Sequence, residues 1–257
     1  MTSALIGHTG FVGGNLARAH RFDHHFNSRN FRDMAGRRFD LAVCAGLTAA
    51  KWLANRDPSA DWSRIAALAD ILARVDADKF MLISTIDVYP EPVDVDETTA
   101  IDIHSGHAYG RHRLKFERFV AERFPGSQVL RLPALFGPGL KKNVLFDLIN
   151  GQLLDAINPD SRFQWYDIAG LWRDIERFMA SGMLLANLVT EPIATRDILT
   201  RYFPDRQVGA KAAAVVYDVG TVHAGLFGGR GRYVRGGTDV LEQIGAYLRS
   251  VSAKGAA

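Results

Sequence analysis

The sequence predicts an α/β fold: a doubly wound parallel sheet with a small C-terminal substrate lobe. Three observations predict it. Short apolar runs alternate with helical periodicities, at Ala4-Leu5-Ile6, 39–46, 80–83 and 129–132. Within each run the apolar character is nearly continuous, as in strands covered on both faces, rather than alternating. The first run leads straight into glycines at 7, 10 and 13.

That first run reads as a buried strand, and Asn15 to Ala19 continues as a helix. A strand, a tight glycine turn and a helix N-terminus form an anion site. Gly7 permits the turn, Gly10 lets phosphates approach the backbone, and Gly13 lets the helix pack against the strand. The unpaired N–H groups and the positive dipole end of the helix then face the anion. A dinucleotide pyrophosphate is therefore expected on Gly7, Thr9, Gly10, Phe11, Val12 and Gly13, which makes the sheet Rossmann-type. The spacing is G-x-x-G-x-x-G, and an ordinary strand-to-helix turn can share it.

Residues 23–27 read as a second strand ending in Ser28-Arg29-Asn30. At this strand end an acidic residue would hold both ribose hydroxyls, and an arginine suits a 2′-phosphate. No Asp or Glu lies between Asn27 and Arg32, while Ser28 and Arg29 offer a hydroxyl and a planar cation. NADP is thus preferred over NAD; the alternative is that Arg29 is a surface residue and the backbone holds the ribose. The strand over 39–46 ends in small residues, so Cys44, Ala45 and Gly46 are expected beside the cofactor.

A helix is expected over 60–75, then the strand 80–83 and a polar, proline-containing loop over 87–105. A helix over 106–124 is stopped by Pro125-Gly126, and the strand 129–132 by Pro133. Further on, helical periodicity marks 145–154, 168–179 and 238–249. Residues 184–189 read as a strand, and Thr195 as the cap of a helix reaching Phe203. Residues 1–140 are read as the nucleotide-binding domain, and 141–257 as late sheet elements plus the small lobe. The small-residue tail from Ser252 is expected to be disordered.

Composition narrows the class. The 257 residues are 47% hydrophobic and 23% charged, with a net charge of +3, and basic residues are spread among acidic ones. This argues against a nucleic-acid partner. A single cysteine excludes an internal disulfide and fits a reducing compartment. The longest uncharged apolar run, 41–50, is too short for a membrane span, and no signal peptide is apparent. A soluble cytoplasmic protein without membrane or nucleic-acid partners is expected. The eight histidines show no metal-ligand spacing, so no metal is assigned.

Two segments carry candidate chemistry. Ile83-Ser84-Thr85-Ile86-Asp87 ends a predicted central strand, the edge where open α/β sheets bind ligands. His107 to Glu117 lies on a helix, where Tyr109 and Arg113, four apart, share a face. A fixed cation beside a phenol favours its ionised form. Tyr109 can then exchange a proton with a carbonyl or hydroxyl while Thr85 hydrogen-bonds the same oxygen.

Together these segments resemble the extended short-chain dehydrogenase/reductase superfamily of nucleotide-sugar epimerases, dehydratases and 4-ketoreductases. The pattern T-G-x-x-G-x-x-G falls on 6–13 with Ile6 in place of its Thr. The family Ser/Thr falls on Thr85, and the tyrosine of Y-G-x-x-K falls on Tyr109. The stretch 131–139 looks like the segment whose backbone meets the nicotinamide, which implies cofactor contacts at Pro133 and Leu135, with Ser84 also near. The resemblance implies NAD(P), a sugar-nucleotide substrate and a possible homodimer through the Tyr109 helix. It also implies that the residue at 113 holds the nicotinamide ribose and lowers the tyrosine pKa; there the family lysine is replaced by Arg113. Ile86 stands where the family's dehydratases carry an acid, which disfavours water elimination, and Asp87 reads equally as an extra base or a capping residue. Two functions follow: an NAD(P)-dependent oxidoreductase or epimerase, or a catalytically weakened NAD(P)-binding sensor or complex subunit.

Overall fold

The structure is a computed structural model that describes residues 1–255. The chain begins with β1 (Ser3–Ile6), α1 (Phe11–Ala19) and β2 (His24–Phe26). A 3-10 turn leads to β3 (Arg38–Cys44), followed by α2 (Lys51–Arg56) and α3 (Pro58–Leu72). Next come β4 (Asp76–Thr85), β5 (Val93–Val95), α4 (Ala108–Arg123) and β6 (Gln128–Leu132). β7 (Ala134–Phe136), α5 (Val144–Asn150), β8 (Arg162–Phe163), β9 (Trp165–Asp167) and α6 (Leu171–Ser181) follow. The chain ends with β10 (Leu185–Asn187), β11 (Ile193–Ala194), α7 (Thr195–Tyr202), β12 (Asp218–Val219) and α8 (Gly237–Gly255).

The described chain divides into two compact units interleaved in sequence. The first comprises Met1–Glu91, Thr98–Arg131 and Trp172–Ala186 and carries a six-stranded parallel sheet ordered β10-β6-β4-β3-β1-β2. After β2 the chain crosses back over β1 to reach β3, so the strand order reverses between β1 and β3. In doubly wound sheets the crevice beyond the strand ends at this point is the ligand site. The core is aromatic and aliphatic, with Phe39, Phe80, Phe116 and Phe124 among its members and the Phe80 and Phe124 rings stacked at 4.2 Å. Asp57 starts α3 by accepting the Ala60 N–H, with Pro58 in the first turn, a pairing that suits both residues.

The second unit comprises Pro92–Glu97, Leu132–Leu171 and the chain from Asn187 onward. It is built on three two-stranded ladders: β5 with β12 and β7 with β9, both parallel, and β8 with β11, antiparallel. Its core includes Phe136, Leu145, Trp165, Ile198 and Ile244. Within it Glu97 accepts hydrogen bonds from the Asn187 N–H (2.6 Å), the Thr221 hydroxyl (2.6 Å) and the Val222 N–H (3.0 Å).

Several local expectations need correction. The loop expected over 87–105 contains β5, whose ladder partner β12 lies more than a hundred residues away. Helix α2 follows β3 although its mixed residues show no clear period. Thr195 does not cap α7: Ala194 is the cap, and the Thr195 hydroxyl donates to the Ser161 carbonyl at 3.0 Å. The tail from Ser252, expected to be disordered, continues α8 to Gly255, and the last two residues lie outside the described ones. Among the described residues no helix is long and apolar enough to cross a membrane.

Candidate functional site

The glycine turn stands at the end of β1. Gly7 has φ +91, a left-handed value costly for any residue with a Cβ, and an added Cβ would lie 2.4 Å from the Ala45 carbonyl oxygen. The close approach of β1's end to the end of β3 therefore requires glycine. A Cβ on Gly13 would lie 2.2 Å from the Gly7 oxygen, so α1 sits directly on the turn. Gly10 is the N-cap of α1 and supplies no side-chain acceptor. The first N–H groups of α1, from Phe11, Val12 and Gly13, thus begin a helix without a side-chain cap, as an anion site requires. His8, inside the turn, contacts the Phe26 carbonyl through Nδ1 at 3.1 Å and so ties the turn to the end of β2.

A cavity of about 390 Å³ adjoins the turn, lined by Gly7, Gly46, Ser28, Thr48, Asp61 and several apolar side chains including Leu47 and Leu68. Two further lining residues, Arg32 and Arg64, have no acidic partner among the described residues. Arg29 is exposed and lies outside this lining; its backbone N–H donates to the Asn27 side chain at 2.8 Å. Cys44 is fully buried in the core, and burial pushes its thiol up to about 11, so it offers the cavity no thiolate.

Tyr109 stands in the first turn of α4, 7% exposed. Asn55 of α2 accepts its backbone N–H at 3.0 Å, and His107 caps the helix by accepting the Gly110 N–H at Nδ1 (3.0 Å). Arg113 is buried, and its guanidinium carbon lies 3.8 Å from the centre of the Tyr109 ring. Its terminal nitrogens donate to both Asp61 oxygens (2.6 and 3.1 Å), to the Thr48 carbonyl (2.5 Å) and to the Tyr109 carbonyl (3.2 Å). The Arg113 Nε is buried and has no hydrogen-bond partner among the described residues. Asp61, 1% exposed, also meets His112 Nδ1 at 2.8 Å. Burial raises the Asp61 pKa, but hydrogen bonds from Arg113 and His112 and the Arg113 charge hold it below the usual carboxylate range.

The expectation that Arg113 lowers the tyrosine pKa needs correcting in its net result. Burial pushes the Tyr109 phenol up to about 12; Arg113 pulls it down, but Asp87 and Asp61 add to the rise. Desolvation is the largest of these effects and outweighs the neighbouring cation.

Thr85, at the end of β4, accepts the Asp87 N–H at 3.1 Å and thereby caps a 3-10 turn. The Asp87 carboxylate pairs with Lys51 at 2.7 Å and stands 4.0 Å from His107 Nε2. The Ser84 hydroxyl instead donates to buried Glu117 at 2.5 Å. Glu117 also receives Arg131 Nε (3.1 Å) and Nη2 (2.6 Å), and Arg131 Nη1 donates to the Tyr89 hydroxyl at 2.9 Å. Ser84 therefore serves a buried polar chain.

In the second unit, Pro133 immediately precedes β7, and Leu135 pairs with Tyr166 of β9. The Leu135 carbonyl accepts the Asn143 side chain at 2.9 Å. Sequence reasoning missed Lys51, Asn55, Asp61 and Arg64. Only Asp61 left a trace: it lies on the stripe of α3 shared by Ile65, Leu68 and Leu72, and a carboxylate on an apolar stripe demands a partner.

This architecture is a Rossmann-type α/β fold, with a glycine turn at the strand-order reversal. No protein-family model matches the sequence, and no curated protein matches it. Solved structures with the same fold include a dTDP-4-dehydrorhamnose reductase from Clostridium acetobutylicum, with a TM-score of 0.72 and 15% identity, covering 98% of this chain and 100% of that one. A UDP-glucose 4-epimerase with UDP-glucose from Thermotoga maritima has a TM-score of 0.70 and 14% identity, covering 98% and 99%. A dTDP-glucose 4,6-dehydratase from Streptomyces venezuelae with NAD bound has a TM-score of 0.70 and 15% identity, covering 97% of each chain. The chain shares the fold of these three proteins.

Proposed function

We propose that this chain is an NAD(P)-dependent oxidoreductase or epimerase acting on a hydroxyl or keto carbon of a sugar nucleotide. The observation that carries the reading is the glycine turn with its uncapped helix start at the strand-order reversal, in the same compact unit as Tyr109 and Thr85. The pyrophosphate would rest on the N–H groups at 11–13, and the adenosine half would enter the cavity beside Ser28. Arg32 and Arg64, two lining cations with no acidic counterpart, favour NADP over NAD. Hydride-transfer chemistry would come from a nicotinamide cofactor held at this site. Tyr109 gives a proton to the substrate oxygen, or takes one from it, and Thr85 orients that oxygen. With its phenol pushed up by burial, Tyr109 rests protonated and stands ready as a proton donor.

A second reading, a dinucleotide-binding sensor or complex subunit, is favoured by one observation. The terminal nitrogens of Arg113 are engaged by Asp61, Thr48 and Tyr109, leaving none of the role expected of the family lysine in plain evidence. Calorimetric titration with NADPH and NADH, followed by turnover of 4-keto and 4-hydroxy sugar nucleotides, separates the two. Turnover lost in Tyr109→Phe with cofactor affinity retained supports the enzyme. Tight NADPH binding with no turnover across the substrate panel supports the sensor.

A further inference from the structure

Asp61 lies outside every motif that suggested function, yet it meets the candidate site from two sides. It lines the cavity beside the glycine turn, as does Thr48, and both fix the guanidinium of Arg113. That guanidinium lies against the Tyr109 ring at 3.8 Å. Its planar fork matches the carboxylate, so Asp61 sets both where the cation sits and how much of its charge the phenol feels. Thr48 and Tyr109 contribute only carbonyl oxygens, which hold the arginine without neutralising it. The remaining ionisable groups around the tyrosine form a separate cluster: Lys51 of α2, Asp87 after β4, and His107 at the start of α4. On the far side of Asp61, His112 adds a second donor.

We propose that Asp61 is the positioning residue of the Tyr109 site: from the cavity wall it seats Arg113 on the phenol ring and offsets the cation's charge there. The proposal rests on Tyr109 being the acid/base group. With Asp61 ionised and paired, the tyrosine is kept as a neutral proton donor; without its charge, the same guanidinium favours the phenolate.

The test is titration of tyrosine labelled with carbon-13 at Cζ, followed by NMR, with Tyr109→Phe used to assign the resonance. In the wild type the Tyr109 resonance stays protonated to about pH 11, consistent with a phenol pushed up to about 12. In Asp61→Asn the midpoint falls by about half a unit or more, at least a threefold change in acid constant. A merely structural aspartate would lower stability and leave the midpoint in place, so an unchanged or raised midpoint overturns the proposal. The double variant Asp61→Asn, Arg113→Met removes both charges and keeps the volume. Its midpoint is expected less than about half a unit below that of the wild type. A larger fall in the double variant overturns the proposal, because the charge then acts without Arg113, and this variant decides the matter if the single one does not fold. Adding NADP+ or NAD+ to the same samples tests the dinucleotide site separately: failure of both to bind removes that site whatever Tyr109 does.

Discussion

Buried charge is tolerated only where partners replace the lost water, and the first unit concentrates such charge at single residues. Glu117 shows what this means for one side chain. It accepts hydrogen bonds from Ser84 and from two nitrogens of Arg131, and both charged residues are nearly inaccessible. Neutralising the carboxylate in Glu117→Gln leaves the Arg131 guanidinium buried without its counter-charge. The expected cost is about 3–5 kcal/mol of unfolding free energy. Ser84→Ala removes one hydrogen bond to an acceptor that keeps its arginine, so about 1–2 kcal/mol is expected. Urea denaturation of the two variants checks the ranking. Equal losses would mean that the ion pair between α4 and β6 adds nothing beyond the hydrogen bond that ties α4 to β4.

Helix α4 depends on a cap that titrates. His107 accepts the Gly110 N–H at Nδ1, which is possible only while that nitrogen is unprotonated. Burial and then the Lys51 charge lower the His107 pKa below 6.5, with Asp87 opposing them. The folded state therefore binds fewer protons here than the unfolded state. The stabilisation is fully present above about pH 6.5 and is lost as pH falls through the lower folded value. Asn also caps helices but does not titrate, so His107→Asn is expected to hold stability near neutrality and flatten its decline below about pH 6.5. His25, also lowered by burial, gives a slope of the same sign in both proteins, so the difference between variant and wild type isolates His107. An identical slope in the two would remove the cap from this role. Much at this scale was legible in the sequence. Gly7 and Gly13 declared the turn because no other residue fits, and the run 39–46 declared β3 because it is covered on both faces. Helix α2 was not legible: Lys51 to Arg56 carries no period, and its position becomes meaningful only where Lys51 meets Asp87 and Asn55 meets Tyr109. Likewise Arg113 sat where the resemblance placed it, but its partners Thr48 and Asp61 lie more than fifty residues earlier, beyond any local pattern.

At the scale of the whole molecule, a ligand that binds only the folded state raises its stability by mass action. At one hundred times its dissociation constant the gain is about 2.7 kcal/mol. For a chain of this size each kcal/mol moves the melting midpoint by about 2–4 °C, so a bound dinucleotide should raise it by about 5–10 °C. The size of the rise at equal concentration then orders the cofactors. Arg32 and Arg64 bring two cations to the cavity, whereas its one carboxylate, Asp61, is already paired with Arg113. A 2′-phosphate is the group that uses this imbalance, since it carries nearly two negative charges at neutral pH, whereas the ribose hydroxyls of NAD are neutral. NADP+ is therefore expected to raise the midpoint more than NAD+ does, and added salt should narrow the gap because both arginines are exposed. Replacing both arginines by alanine should bring the NADP+ shift down to that of NAD+ and leave the NAD+ shift unchanged. If NAD+ gave the larger shift in the wild type, the arginines would be surface charges, and the preference drawn from the missing carboxylate between Asn27 and Arg32 would fall with them.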